Sequence, residues 1–276
     1  MGRALRIGSL GTILTVAALI SGCSTGHVSG IESAAATGSI APGLVLDPPV
    51  DHVHAAVVHD NVLLLGTHSG LFEVDLGTGQ TSRRGTTQDD LMGLATDVSS
   101  LVASGHPGPE TDLPDPLGLL RSDDKGQTWR SISLLGEVDF HGLAVAGSSV
   151  AGIGTQDGVL VSQNGGSSWS RADIEDATSL AWFQGALWVA SESGLRIWRS
   201  GVITDAPASE QTMLALAAAD DGSALWAISL DGTVWRTADG STWEKRGAIT
   251  SLEALAATSD AAYVITADAV AVIAGR

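Results

Sequence analysis

Seven histidines occur in this chain of 276 residues, and four fall within one stretch, DHVHAAVVHDNVLLLGTHSG, residues 51–70. They are His52, His54, His59 and His68. Two more stand alone further on, His106 in SGHPG and His141 in DFHGLAV. Imidazole keeps a free lone pair near neutral pH and is the commonest metal-ligating side chain. Several imidazoles converging on one point suit zinc, and a thioether among them, such as Met92, moves the preference toward copper. Carboxylates beside such a cluster, here Asp51 and Asp139, can accept imidazole N–H groups and fix ring orientation. A His-x-His pair does none of this alone. The chemistry depends on whether the chain brings distant positions together.

The elements that could do so are short strands. Apolar runs of four to seven residues, alternating or continuous, recur between Gly-rich turns, and no stretch reads as a long amphipathic helix. The runs group into six units that begin near His54-Ala-Ala-Val, Met92-Gly-Leu-Ala, His141-Gly-Leu-Ala, Thr178-Ser-Leu-Ala, Leu214-Ala-Leu-Ala and Glu253-Ala-Leu-Ala. Their spacing of roughly 35–50 residues is that of propeller blades. The second unit is lengthened by PGPETDLPDP, residues 107–116. The last unit ends after three strands, so its fourth must come from the N-terminal side, near Gly43 to Asp47. The expectation is an all-β, six-bladed β-propeller over residues 46–276, or seven blades if residues 28–50 hold another unit.

Placing the histidines in that repeat gathers them. His54 and His141 start inner strands, as does Met92, and His52 lies two residues before His54 and shares its side of the strand. His68 and His106 end second strands, where the third and fourth units carry Gln156 and Glu192. One mouth of the channel therefore receives His52, His54, His68, His106, His141 and Met92 from three neighbouring blades. A site takes three or four ligands, so some of these would be supporting residues. His59 falls in the opposite hairpin and reads as solvated.

Three turns share a further pattern: SDDKGQTW (122–129), SQNGGSSW (162–169) and TADGSTW (237–243). Asp124, Asn164 and Asp239 can accept backbone N–H groups. Gly126, Gly166 and Gly240 allow positive φ, and Trp129, Trp169 and Trp243 can cover the turn. These segments resemble the Asp-box, or BNR repeat, of sialidase-type propellers. The stretch from LMGLAT to HGLAV is similar to exported bacterial propellers labelled glycosylhydrolases. The resemblance implies a propeller in which these nine residues are structural, on outer hairpins. It does not imply sialidase chemistry. The mature chain has no arginine before Arg83, and its one tyrosine, Tyr263, sits in a second strand of the last unit. A two-carboxylate glycosidase using residues among Asp51, Asp89, Asp90, Glu137 and Asp139 stays open. Trp182, Trp188 and Trp198 read as buried rather than as sugar platforms.

The N-terminal residues supply an address. Arg3 and Arg6 precede an apolar run from Leu10 to Ile20 that is too short for a stable span. It ends in Ile20-Ser21-Gly22-Cys23, which resembles a lipobox, and Cys23 is the chain's one cysteine. Residues 1–22 read as a lipoprotein signal peptide, and 23–45 as a lipidated Cys23 with a flexible tether. The protein is expected on the extracytoplasmic face of the cell membrane, held by lipid. A formal net charge of −17 disfavours nucleic acid as a partner. The leading expectation is a metal-binding, non-sialidase propeller carrying copper or zinc, with any enzymatic activity left open. The alternatives are a glycoside hydrolase or glycan-binding protein, and a scaffold for an envelope protein partner.

Overall fold

The computed structural model of the chain describes residues 43–97, 99–207 and 211–275. Cys23, the lipobox and the tether up to residue 42 lie outside the described residues. Twenty-four strands and no helix occur among the described residues, in six four-stranded antiparallel sheets. Each sheet is one blade. The innermost strands are Val53–His59, Asp90–Thr96, Phe140–Ala146, Ala177–Phe183, Met213–Ala218 and Ala254–Ala257. The protein is a six-bladed β-propeller.

The ring closes where the sequence leaves a strand missing. Leu44–Val45 pairs with Ala269–Ala274, Leu44 opposite Val270 and Val45 opposite Ala269, and completes the sixth blade. Leu46 follows, 3% exposed, and packs with Val53, Leu65 and Val270 between the last blade and the first. The folded ring thus begins at least two residues before position 46, inside the stretch read as tether.

Six apolar clusters fill the six spaces between neighbouring blades. Leu180, Leu187 and Val189 of the fourth blade meet Ala151 and Val161 of the third, for example. Trp226 and Ile228 of the fifth meet Val264 and Ile273 of the sixth. An inner or second strand has a neighbour on both faces, so its sequence is a continuous apolar run such as Leu63-Leu64-Leu65 rather than an alternation. Trp188 and Trp198 are buried in this material and Trp182 packs against it.

The three patterned turns bind themselves as their residues require. Asp124 accepts from Thr128 N–H (2.9 Å) and Thr128 Oγ1 (2.6 Å), while Ser122 Oγ donates to Asp124 (2.8 Å) and accepts from Gly126 N–H (2.7 Å). The hydrogen bonds from Thr128 and Ser122 hold the Asp124 carboxyl down to about 2. Asn164 repeats the arrangement with Ser168 and Ser162. Asp239 accepts from Ser241 and Thr242 N–H, each at 2.8 Å. Each turn also seats its glycine on the preceding blade. A Cβ on Gly126, Gly166 or Gly240 would lie 2.2, 2.3 or 2.7 Å from Leu71, Leu119 or Trp188. Trp129, Trp169 and Trp243 pack against the inter-blade clusters.

One histidine departs from its expected setting. His59 is 5% exposed, not solvated, and its Nδ1 lies 2.6 Å from Thr96 Oγ1 of the next blade. The turn after it, Asp60-Asn61, has positive φ at both residues (49° and 64°). That tight turn turns the imidazole into the inter-blade space while Asp60 stays outside.

Candidate metal centre

Five inner strands carry a β-bulge at the same level. The register skips one residue between Val53 and Ala55, Leu91 and Gly93, Phe140 and Gly142, Ala177 and Ser179, and Met213 and Ala215. The skipped residues are His54, Met92, His141, Thr178 and Leu214, the positions aligned from sequence. A bulge releases its residue from the ladder and re-aims the side chain. Here it directs the leading end of each inner strand toward one mouth of the central cavity. That cavity has a volume of about 760 Å³, with His54, His141 and Glu253 among its lining residues.

The residue just before each bulged pair faces the end of the second strand. Asp90 pairs with His106 directly. Thr155 N–H donates to Asp139 O, Glu192 N–H to Asp176 O and Leu230 N–H to Thr212 O. Thr155, not Gln156, is therefore the third blade's counterpart of His68 and His106. The turn Thr-Gln-Asp-Gly allows either register by pattern, and only the pairing of Phe140 with Gly154 fixes it. Opposite Leu91, Gly105 adopts φ +149°, and a Cβ there would sit 1.8 Å from Asp90 O. Glycine is required for the two strands to close and place His106 beside Asp90.

The histidines gather into two groups. In the first, His54 Nε2 lies 3.2 Å from His68 Nδ1, His68 Nδ1 lies 2.9 Å from Asp90 Oδ2, and His54 Nε2 lies 3.4 Å from Asp90 Oδ1. In the second, His141 Nε2 lies 2.8 Å and His106 Nε2 3.7 Å from Asp139 Oδ2. Within each group, the three ligand atoms lie within 4.8 Å of one another, so each could hold a metal ion. The groups straddle the second blade and are close enough to interact. Burial lowers the pKa of His54, with the charges of His68, His52 and His141 adding to it and Asp90 opposing. Burial also acts to lower His106, but the hydrogen bond to Asp115 and the charges of Asp139, Asp115 and Asp90 outweigh it and raise that pKa. Asp90 Oδ1 and Asp139 Oδ1 are buried without a hydrogen-bond partner.

The remaining sequence candidates fall around these groups. His52 lies beside the first, its ring 4.7 Å from that of His54 and 5.6 Å from that of His68. Its Nδ1 is taken by Glu253 Oε1 at 3.0 Å, and Glu253 Oε2 accepts from Val53 N–H. Met92 is half-buried at its bulge, between the two groups in blade order. Asp51 is exposed. Asp139 does not stand behind an imidazole but faces two of them.

Three acids that matter here are not evident as such from the sequence. Asp90 is a member of the first group; it stands two residues before Met92, the same repeat position that His52 holds before His54 and Asp139 before His141. Glu253 joins the last blade to His52. Asp115 reaches His106 Nδ1 at 2.7 Å from the 107–116 insert. Asp89, 2% exposed, pins that insert by accepting from Gly108 N–H and Thr111 Oγ1. Nothing in the local sequence marks Asp115.

No protein-family model and no curated protein matches the chain. Solved structures do. A gluconolactonase from Xanthomonas campestris, XC5397, is 14% identical, with 84% of this chain and 88% of that one covered, at a TM-score of 0.62. Virginiamycin B lyase from Staphylococcus aureus is 13% identical over 84% of this chain and 98% of that one, at 0.55. The GH74 enzyme of Niastella koreensis is 15% identical over 76% of this chain but 38% of its own length, at 0.53. At such identities the likeness is one of fold, a propeller shared by proteins of differing chemistry.

Proposed function

We propose that the protein is an extracytoplasmic, lipid-anchored propeller that binds a divalent metal ion at its His-rich mouth and has no sialidase activity. The observation that carries this reading is the spacing of His54, His68 and Asp90. Two ligands on one ion, with bonds near 2.0–2.1 Å, stand about 2.9 Å apart at right angles and about 3.4 Å apart in a tetrahedron. The two imidazole nitrogens stand 3.2 Å apart, and each has one Asp90 oxygen in that interval, Oδ2 at 2.9 Å from His68 and Oδ1 at 3.4 Å from His54. Two imidazoles and a carboxylate suit zinc, with copper(II) the competitor; a Met92 thioether is not needed. Asp90 Oδ1 supports the same reading: it is buried and makes no hydrogen bond, its imidazole neighbour His54 Nε2 standing 3.4 Å away, and a cation would satisfy it.

The glycosidase alternative has less support. Asp89 is spent on the insert, and Asp90 and Asp139 face imidazoles rather than an open cleft. Elemental analysis of protein dialysed against zinc, and separately copper, tests the proposal. At least one ion per chain is expected, with His54→Ala or Asp90→Asn weakening binding by two orders of magnitude or more. No retained ion at saturating metal removes the reading.

A further inference from the structure

We infer that the mouth holds two separate cation sites, one on each side of the second blade, and not one ion shared among five histidines. The inference rests on the proposed metal binding and specifies its stoichiometry. The first site is His54, His68 and Asp90. The second is His106, Asp139 and His141.

The ligand atoms pair off by carboxylate. Asp90 takes the imidazoles that reach it from the first blade, with contacts of 2.9 and 3.4 Å. Asp139 takes His141 of its own blade at 2.8 Å and His106 of the second at 3.7 Å. Each carboxylate serves one group, and each keeps a buried oxygen, Asp90 Oδ1 or Asp139 Oδ1, without a hydrogen bond. Each group thus has its own carboxylate with accepting capacity to spare, which suits one cation per group. The blade geometry gives the same result. His54 and His141 sit at bulges two blades apart, with the Met92 bulge between them. Both line the same cavity, but their ligand atoms fall in two separate groups of three.

The two sites are built differently. In the first, the two imidazole nitrogens already stand 3.2 Å apart, each with an Asp90 oxygen within 3.4 Å. In the second, His106 is held from behind. Its Nδ1 donates to Asp115 Oδ1 at 2.7 Å, which fixes the tautomer and leaves the Nε2 lone pair toward Asp139. The wider 3.7 Å separation means that this site must contract to bind. Asp115 is a positioning residue, and the insert pinned by Asp89 exists at this place to deliver it. The first site should therefore fill at lower metal concentration than the second, and only the second should depend on Asp115.

Equilibrium dialysis of the intact chain against zinc, with elemental counting, tests this. Two ions per chain are expected. His54→Ala should retain one, His141→Ala should retain the other, and the double variant none. Asp115→Asn should keep two ions but weaken one by about 10–100-fold, with Asp115→Glu restoring part of that loss. Thermal melts of the metal-free variants establish that each folds. One ion per chain, lost in both single variants, would overturn the two-site inference and leave metal binding intact. One ion lost in only one of the variants would also overturn it. No ion at all would end both. An Asp115→Asn effect equal at both sites would overturn the assigned role of Asp115.

Discussion

At the scale of single residues, the two ends of the channel differ in chemistry. One end has imidazoles paired with carboxylates. At the other, the inner strands run out into Asp60, Asp97 and Asp220-Asp221. Lys125, 2.6 Å from Asp60, is the cation paired there. Asp220 keeps contact with solvent, yet the surrounding walls displace much of its water. That desolvation, with the charges of Asp221, Asp97 and Asp60, pushes its carboxyl up to about 6. A folded pKa above the unfolded one means that the folded state binds the proton more tightly. The stabilisation is whole below the ordinary value of 3.8 and is lost as pH rises through about 6. Asp220→Asn should therefore raise the melting temperature at pH 7.5 and do so less at pH 4.5. Solvent screening of a side chain this open limits the gain to about 1 kcal/mol or below. Equal shifts at both pH values would show that the carboxyl is not perturbed.

At the scale of elements, bulges and glycines position the site. The bulge frees His54 and His141 from the ladder, and Gly105 lets Asp90 and His106 stand opposite each other. The outer turns act on packing in the same way. Gly126 combines φ +85° with a Cβ position 2.2 Å from Leu71 Cδ2. Gly126→Ala should cost about 2–4 kcal/mol, from backbone strain and displacement of a core side chain. Chemical denaturation would measure it, and a loss below 0.5 kcal/mol would mean that the turn is free to move off the first blade. The aligned position was legible in the sequence from the recurring inner-strand starts, such as Met92-Gly-Leu-Ala and His141-Gly-Leu-Ala, but the bulge at it was not. Nor was the role of the insert. A ten-residue loop rich in proline has no period from which to read where Asp115 lands, and its place depends on the buried anchor Asp89.

At the scale of the molecule, ring closure and charge govern behaviour. Pairing of Leu44–Val45 with the last blade joins the two ends of the described chain in one sheet, so the ring has no open seam. The first described residue, Gly43, lies beside Ala269 of the sixth blade. Lipid anchoring through Cys23 is a separate proposal. Cys23→Ser should move the protein from the membrane fraction to the soluble fraction without lowering zinc stoichiometry. Retention in the membrane would refute lipid anchoring, and loss of zinc would show that the tether contributes to the site.

The sequence by itself pointed to the propeller, to six units with a seventh left open until the sheets were seen, to the closing strand and to the gathering of histidines at one mouth. These follow from periodicity, and a period of short apolar strands has few packed solutions. Tertiary structure alone decided which carboxylates join which imidazoles, that His59 turns inward, and that the mouth divides into two groups instead of one. Those outcomes depend on bulge direction, on one-residue register and on contacts between blades. Such differences of a few ångströms arise only when neighbouring sheets are packed together.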